Sequence, residues 1–183
     1  MKKIIVFNML TLDGFFAGVD GDISWHNVDG EFNNFAIEHT KEFGILMFGR
    51  VTYDLMASYW ASETAIKNDP LVAEIMNNAK KVVFSKTLGA ADWNNTELIK
   101  EINREEIKKL QTSEEKDLAI FGSGQIVQEF TRLGLVDEYR LMINPVVLGK
   151  GKPLFTEPMK FKLISAREFK NGNVLLSYEP KEN

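Results

Sequence analysis

The chain has 183 residues, 44% of them apolar and 26% charged, a mix that suits one globular domain with a single sizeable core and excludes a disordered chain. Its net charge of −4 and scattered lysines argue against nucleic acid, and no run approaches the roughly 20 apolar residues that cross a bilayer. The absence of cysteine excludes disulfides, thiolate metal sites and cysteine nucleophiles, fits a reducing cytoplasm, and leaves only His26 and His39 as imidazoles, too few for a histidine-rich metal centre. No repeat, low-complexity stretch or linker divides residues 1–183.

Residues 3–10 form an apolar, β-branched run interrupted at Asn8, and they predict a strand buried on both faces rather than a signal peptide. Residues 11–25, rich in glycine and aspartate, predict a loop whose length points to function. Phe15 and Phe16 within it need cover. Residues 29–41 place Phe32, Phe35, Ala36 and His39 at helical spacing behind Asp29 as N-cap. A glycine-bounded strand at 44–49 then runs directly into a helical pattern opened by Arg50.

Asp69-Pro70 predicts a helix start capped by the aspartate, and 81–85 the next strand. An edge strand is expected within 93–100, and a charged helix with one apolar side at 103–110. The strand at 118–121 ends in Gly122-Ser123-Gly124, with a helix at 125–133 closed by Gly134. Strands at 136–143, 161–169 and 174–178 follow, the last two joined across the hairpin signal Asn171-Gly172. Together these predict an α/β fold with a mixed sheet and helices on both faces.

Gly122-Ser123-Gly124 is the stretch most open to a functional reading. A strand that hands over to a helix through glycines leaves the first helical amides bare, and bare amides attract anions. A plain strand-to-helix turn explains the same residues. The dinucleotide fingerprint G-x-G-x-x-G is absent, because Val127 stands where a third glycine would be.

Five motifs in order carry a resemblance. Thr11-Leu12-Asp13-Gly14-Phe15-Phe16-Ala17-Gly18, Phe48-Gly49-Arg50-Val51-Thr52-Tyr53, Ser85-Lys86-Thr87-Leu88, Phe121-Gly122-Ser123-Gly124 and Asn144-Pro145-Val146-Val147-Leu148-Gly149-Lys150-Gly151 make the chain similar to the dihydrofolate-reductase-like superfamily. Within it the chain resembles the reductase domain of the riboflavin-biosynthesis deaminase-reductase and its stand-alone relatives. The resemblance implies a three-layer α/β/α fold with a mostly parallel sheet of about eight strands ending in an antiparallel hairpin. It also implies a homodimer, NADPH as cofactor and hydride transfer to a small heterocyclic (pyrimidine- or pterin-like) or carbonyl substrate, in a reductase related to 5-amino-6-(5-phosphoribosylamino)uracil reductase.

The same resemblance assigns residues. Gly49, Arg50 and Thr52 would hold the pyrophosphate and the adenosine 2′-phosphate, for which a guanidinium fork suits phosphate well. Ser85 and Lys86 would lie beside the adenine ribose. Gly122, Ser123 and Gly124 would admit the pyrophosphate, with amides from Gln125 and Ile126. Ala17 and Gly18 would touch the carboxamide as the first loop closes, with Phe15 or Phe16 walling the pocket and Trp25 and Phe32 on the substrate.

Reduction also needs a proton from an acid or ordered water. The family position five residues after the tryptophan is Gly30 here, so Asp29, Glu31 and Asp13 remain as candidates, each with a structural role available as cap, first-turn acid or turn residue. His26 is a further candidate acid. A phosphorylated substrate calls for a cation, and Lys150 and Lys152 are available. No zinc-deaminase signature and no metal site is visible.

Overall fold

The structure, a computed structural model, describes residues 1–181. Its centre is the run of apolar strands β1 (Ile4–Thr11), β3 (Phe43–Gly49), β4 (Lys80–Phe84) and β6 (Asp117–Phe121). These pair in parallel, flanked by β5 (Thr96–Ile99) at one edge and β7 (Glu138–Asn144) on the other side. Strand β10 (Val174–Pro180) pairs antiparallel with β7, and β9 (Phe161–Glu168) antiparallel with β10. The order across the eight strands is β5-β4-β3-β6-β1-β7-β10-β9. This is the mixed, mostly parallel sheet with a terminal hairpin that the sequence predicts, and Gly172 supplies the positive φ of +90° at the turn.

Side-chain alternation sorts the core into two layers. Ile4, Val6, Ile45, Met47, Val82 and Ile120 point to one face, covered by α5 (Arg104–Ser113) through Ile107 and by α6 (Gly124–Arg132) through Val127 and Phe130. On the other face Ile5, Leu46, Phe48 and Val83 meet α2 (Arg50–Trp60) through Tyr53 and α4 (Pro70–Asn78) through Met76. Helix α1 (Gly30–Lys41) extends that layer, Phe32 packing with Met9, Met142, Phe169 and Leu175.

Caps follow local chemistry. Asp29 accepts from the Phe32 amide and Asn103 from the Glu106 amide, and Gly134 closes α6 at φ +61°. Asp69 departs from expectation: its side chain makes no capping bond to α4, and the residue lines the main cleft instead. The short helix α3 (Glu63–Asn68), capped by Ser62, lies where no helix is expected, since six residues hold too few turns to show a period. Lys81 is buried, its ammonium donating to the carbonyls of Met76, Asn77 and Ala79 at the end of α4 and lying 4.5 Å from the centre of the Trp93 ring. It is a helix stop made from a side chain.

The first long loop is not structureless. Strand β2 (Phe15–Ala17) pairs antiparallel with β8 (Lys152–Pro153), tying it to the glycine loop that follows β7. Gly151 permits this approach, since a Cβ there would lie 2.6 Å from the Ala17 carbonyl oxygen and 2.8 Å from the Phe15 ring.

Candidate functional site

The carboxyl ends of β1, β3, β4 and β6 open into a cleft of about 1290 Å³, bounded by β2, α1, α2 and the first turn of α6. Its volume exceeds the roughly 300–1,000 Å³ of a single small-ligand pocket, leaving room for two molecules side by side. Parallel strands deliver their loops to one edge of the sheet, so the glycine junctions after β3 and β6 arrive together there.

Those junctions are stitched to each other. The Gly49 amide donates to Ser123 Oγ at 2.8 Å, Ser123 Oγ donates to the Phe121 carbonyl at 3.0 Å, and the Ser123 amide donates to Thr52 Oγ1 at 3.1 Å. Gly122 and Ser123 both adopt left-handed backbone, at φ +58° and +57°. For Ser123 this is a strained conformation of the kind that surrounding contacts must enforce. Asn8 contributes by donating from Nδ2 to the Gly122 carbonyl at 2.8 Å. The result sets the N-termini of α2 and α6 against one cleft, where their dipoles and first-turn amides favour an anion.

Several amides expected to face a phosphate are consumed in building this turn. Gly122 donates to the Phe7 carbonyl, Gly49 and Ser123 to the hydroxyls above, and Ile126 to the Ser123 carbonyl. Gly124 and Gln125, at the first two positions of α6, lie where no intrahelical carbonyl is in reach, as do Arg50 and Val51 of α2. All four residues line the cleft. Gly124 has a further constraint: a Cβ there would collide with the Phe16 ring. Its missing side chain is therefore a seat for Phe16, where the expectation was access for pyrophosphate. Gly49 makes way in the same manner for Ile126, whose Cγ1 would lie 2.8 Å from a Cβ.

Cations border this part of the cleft. Arg50 is exposed and pairs with Asp54 at 3.0 Å, and exposed Lys86 lies 3.7 Å from Glu101. Exposed pairs of this kind are weak, so either cation can change partner for a phosphate at small cost. Lys100 also lines the cleft. Ser85 does so as well, but its hydroxyl is taken up by the Thr87 and Leu88 amides.

The acids lie elsewhere. Asp29 is the α1 cap, and Glu31 accepts from the Lys170 amide at 2.9 Å, tying α1 to the terminal hairpin. Asp13 accepts from Thr11 Oγ1 at 2.5 Å and from the Gly149 amide at 2.7 Å. The Thr11 hydroxyl, with the amides of Gly149 and Leu148, holds its carboxyl below the usual carboxylate range. Asp13, Asp29 and Glu31 are all absent from the cleft wall, which corrects the expectation that one of them faces the reacting group.

Two more expected residues are displaced. Trp25 packs outside the cleft, its Nε1 donating to the Asp22 carbonyl and its ring meeting His26 edge-on at 4.6 Å. Gly18 gives its amide to the Asp22 carbonyl and is likewise absent from the wall. Ala17, Phe16 and Phe32 do line it, as does Lys152, whereas Lys150 does not.

His26 also lines the cleft. Its Nε2 is buried without a partner, and burial lowers its pKa to about 4, so it is a neutral imidazole at pH 7 and not the acid first considered. Asn8 is a further residue of the site, marked in the sequence as the polar residue that interrupts an otherwise apolar buried strand.

Comparisons with known proteins bear on the fold that carries this cleft. The profile described as "RibD C-terminal domain" matches residues 2–175. The uncharacterized protein YyaP of Bacillus subtilis (strain 168) is 33% identical over 180 residues, covering 97% of this chain and 94% of its own. Among solved structures, a Shewanella sp. PV-4 protein named as a candidate riboflavin biosynthesis protein superposes with a TM-score of 0.74 at 24% identity, all of both chains being covered. Dihydrofolate reductase from Enterococcus faecalis, complexed with NADP(H) and RAB-propyl, superposes at 0.63 with 14% identity, over 98% of this chain and 97% of that one. The fold is thus dihydrofolate-reductase-like, and the chain belongs to the RibD C-terminal domain family.

Proposed function

We propose that the protein is an NADPH-dependent reductase that passes hydride to a small heterocyclic or carbonyl substrate, acting as one unit over residues 1–183 in the cytoplasm. The observation that carries this reading is the pair of helix N-termini, α2 and α6, locked together through Ser123 and opening on a cleft large enough for cofactor and substrate. A dinucleotide fits the donors present. The amides of Gly124, Gln125, Arg50 and Val51 suit its pyrophosphate, the Arg50 guanidinium suits a 2′-phosphate, and Lys86 and Lys100 border the adenine end. When bound, its dihydronicotinamide supplies the hydride.

The chain's own residues then orient and enclose. Phe16, seated on Gly124, and Ala17, tied to Lys152 through the β2–β8 ribbon, form a cover on one side of the cleft that limits the entry of water. With Asp13, Asp29 and Glu31 engaged elsewhere, the proton reaches the product from water admitted at the mouth of the cleft. Leu163 and Ile164, about half exposed on the edge strand β9, favour a homodimer formed through the terminal hairpin.

The commitment of the three acids also favours a second reading, a module that binds NADPH or a pterin without turnover. Calorimetric titration with NADPH, followed by NADPH consumption over a panel of carbonyl and pterin compounds, separates the two. Saturable binding with consumption supports the reductase, binding without consumption supports the module, and no binding contradicts both.

A further inference from the structure

The cleft has two halves of opposite character. Arg50, Lys86 and Lys100 lie at the carboxyl ends of β3, β4 and β5. The other half is walled by helices that share one face of the sheet: Phe32 and Ala36 from α1, Leu55, Met56 and Tyr59 from α2, and Val72 from α4. Leu55 and Tyr59 are 48% and 43% exposed, so this apolar surface is open at the cleft. Open apolar surface inside a concave site marks a place for an apolar ligand.

The charges that α1, α2 and α4 and their connections bring to this half are as informative. Apart from Arg50, which opens α2 at the end of β3, the described lining residues of these elements include no lysine or arginine, and they bring the Asp69 carboxylate, the Tyr59 phenol and the His26 imidazole. A sugar phosphate placed here would lose water without gaining a cation and would sit beside a like charge. Lys152, on β8, lies over Gly21, its Nζ 3.4 Å from where a Cβ on that glycine would stand. Polar groups among the residues lining the apolar half include the Asn33 amide, the Tyr59 hydroxyl and the neutral His26 ring.

We infer that this half takes an uncharged, flat, mainly apolar molecule with one carbonyl edge, held at that edge by Asn33 and His26, and that it does not take a phosphorylated sugar. The inference rests on the reductase reading. In the reduction the C=O π bond breaks, hydride from the dihydronicotinamide forms the new C–H bond as the ring is oxidised to the nicotinamide cation, and water gives the proton to the oxygen.

The test is a binding experiment on protein saturated with NADP+, where no turnover intervenes, using α-tetralone and ribose 5-phosphate as probes in calorimetry. Native protein is expected to bind α-tetralone and not ribose 5-phosphate. Leu55→Asp, at an exposed position, is expected to weaken α-tetralone about tenfold or more, the equivalent of losing roughly 1.4 kcal/mol of apolar contact, with NADP+ affinity unchanged. Tyr59→Ser provides a second variant with the same expected direction. Saturable ribose 5-phosphate binding that is lost in Lys152→Ala overturns the inference and leaves the reductase reading standing, as does NADP+ binding with no effect of either wall variant on α-tetralone. Failure of NADP+ to bind overturns both.

Discussion

The two halves of the cleft are built by different parts of the chain. The cationic half is made of backbone: helix-start amides, two left-handed residues, and glycines whose Cβ positions are filled by Phe16, Ile126 and Thr52. The apolar half is made of side chains projecting from α1, α2 and α4, helices that would keep their path with other side chains in place. Backbone sites are fixed by what cannot be added, side-chain sites by what can be exchanged. The first half should therefore be intolerant of substitution and general in what it binds, and the second tolerant and specific.

Adding a side chain to the backbone half breaks that comparison most severely. Gly124→Val must evict Phe16 from its seat, lifting β2, and should cost about 1–3 kcal/mol of stability together with most NADPH affinity. The Phe16 contact couples stability and affinity at this position. Thermal melts of Gly124→Val, Phe16→Ala and the double variant check the point. A stability loss that does not shrink in the Phe16→Ala background contradicts the packing.

A second effect comes from beneath the apolar half, where His39 lies among Phe7, Phe35, Phe43 and Phe121 with its Nε2 unpaired. Burial, with Arg140 nearby, lowers its pKa to about 3, and His26 stands at about 4, against an ordinary value of 6.5. Below pH 6.5 the unfolded chain takes up protons that the native chain refuses until pH falls to about 4 and 3. Stability should thus be unaffected by these groups above pH 6.5 and fall as pH drops below it, by up to about 1.4 kcal/mol per pH unit for each histidine. His39→Phe should flatten the slope by one proton, as read from denaturation midpoints across that range.

The smallest effect concerns the acids. Asp29→Ala removes a helix cap and should cost about 0.5–2 kcal/mol of stability, while NADPH consumption with a substrate found in the panel stays within about twofold. A large loss of kcat with intact fold would return Asp29 to the reacting group.

Much of the fold was legible because it rests on local rules. Continuous apolar strands, Asp29 as a cap, and Asn171-Gly172 at the hairpin each state their structure within a few residues. The β2–β8 ribbon was not legible, since its strands have three and two residues and exist only through pairing across the chain. At the site, the junctions at Gly49 and Gly122–Gly124 could be read because glycine is needed there. Which amides remain open could not, because Thr52, Ser123 and Asn8 meet only in three dimensions. Trp25 and Glu31 mislead for the same reason: their partners, the Asp22 carbonyl and the Lys170 amide, are matters of tertiary placement.

The central claim is that the paired helix N-termini and Arg50 receive a phosphorylated dinucleotide. Calorimetric titration of native protein and Arg50→Ala with NADPH and with NADH tests it most directly. Native protein should bind NADPH more tightly than NADH, and Arg50→Ala should lose about tenfold or more for NADPH, the worth of one charge-assisted contact of roughly 1.5–3 kcal/mol, with NADH nearly unchanged. Equal losses for the two cofactors would contradict the role of Arg50, and no saturable binding of either would contradict the account as a whole.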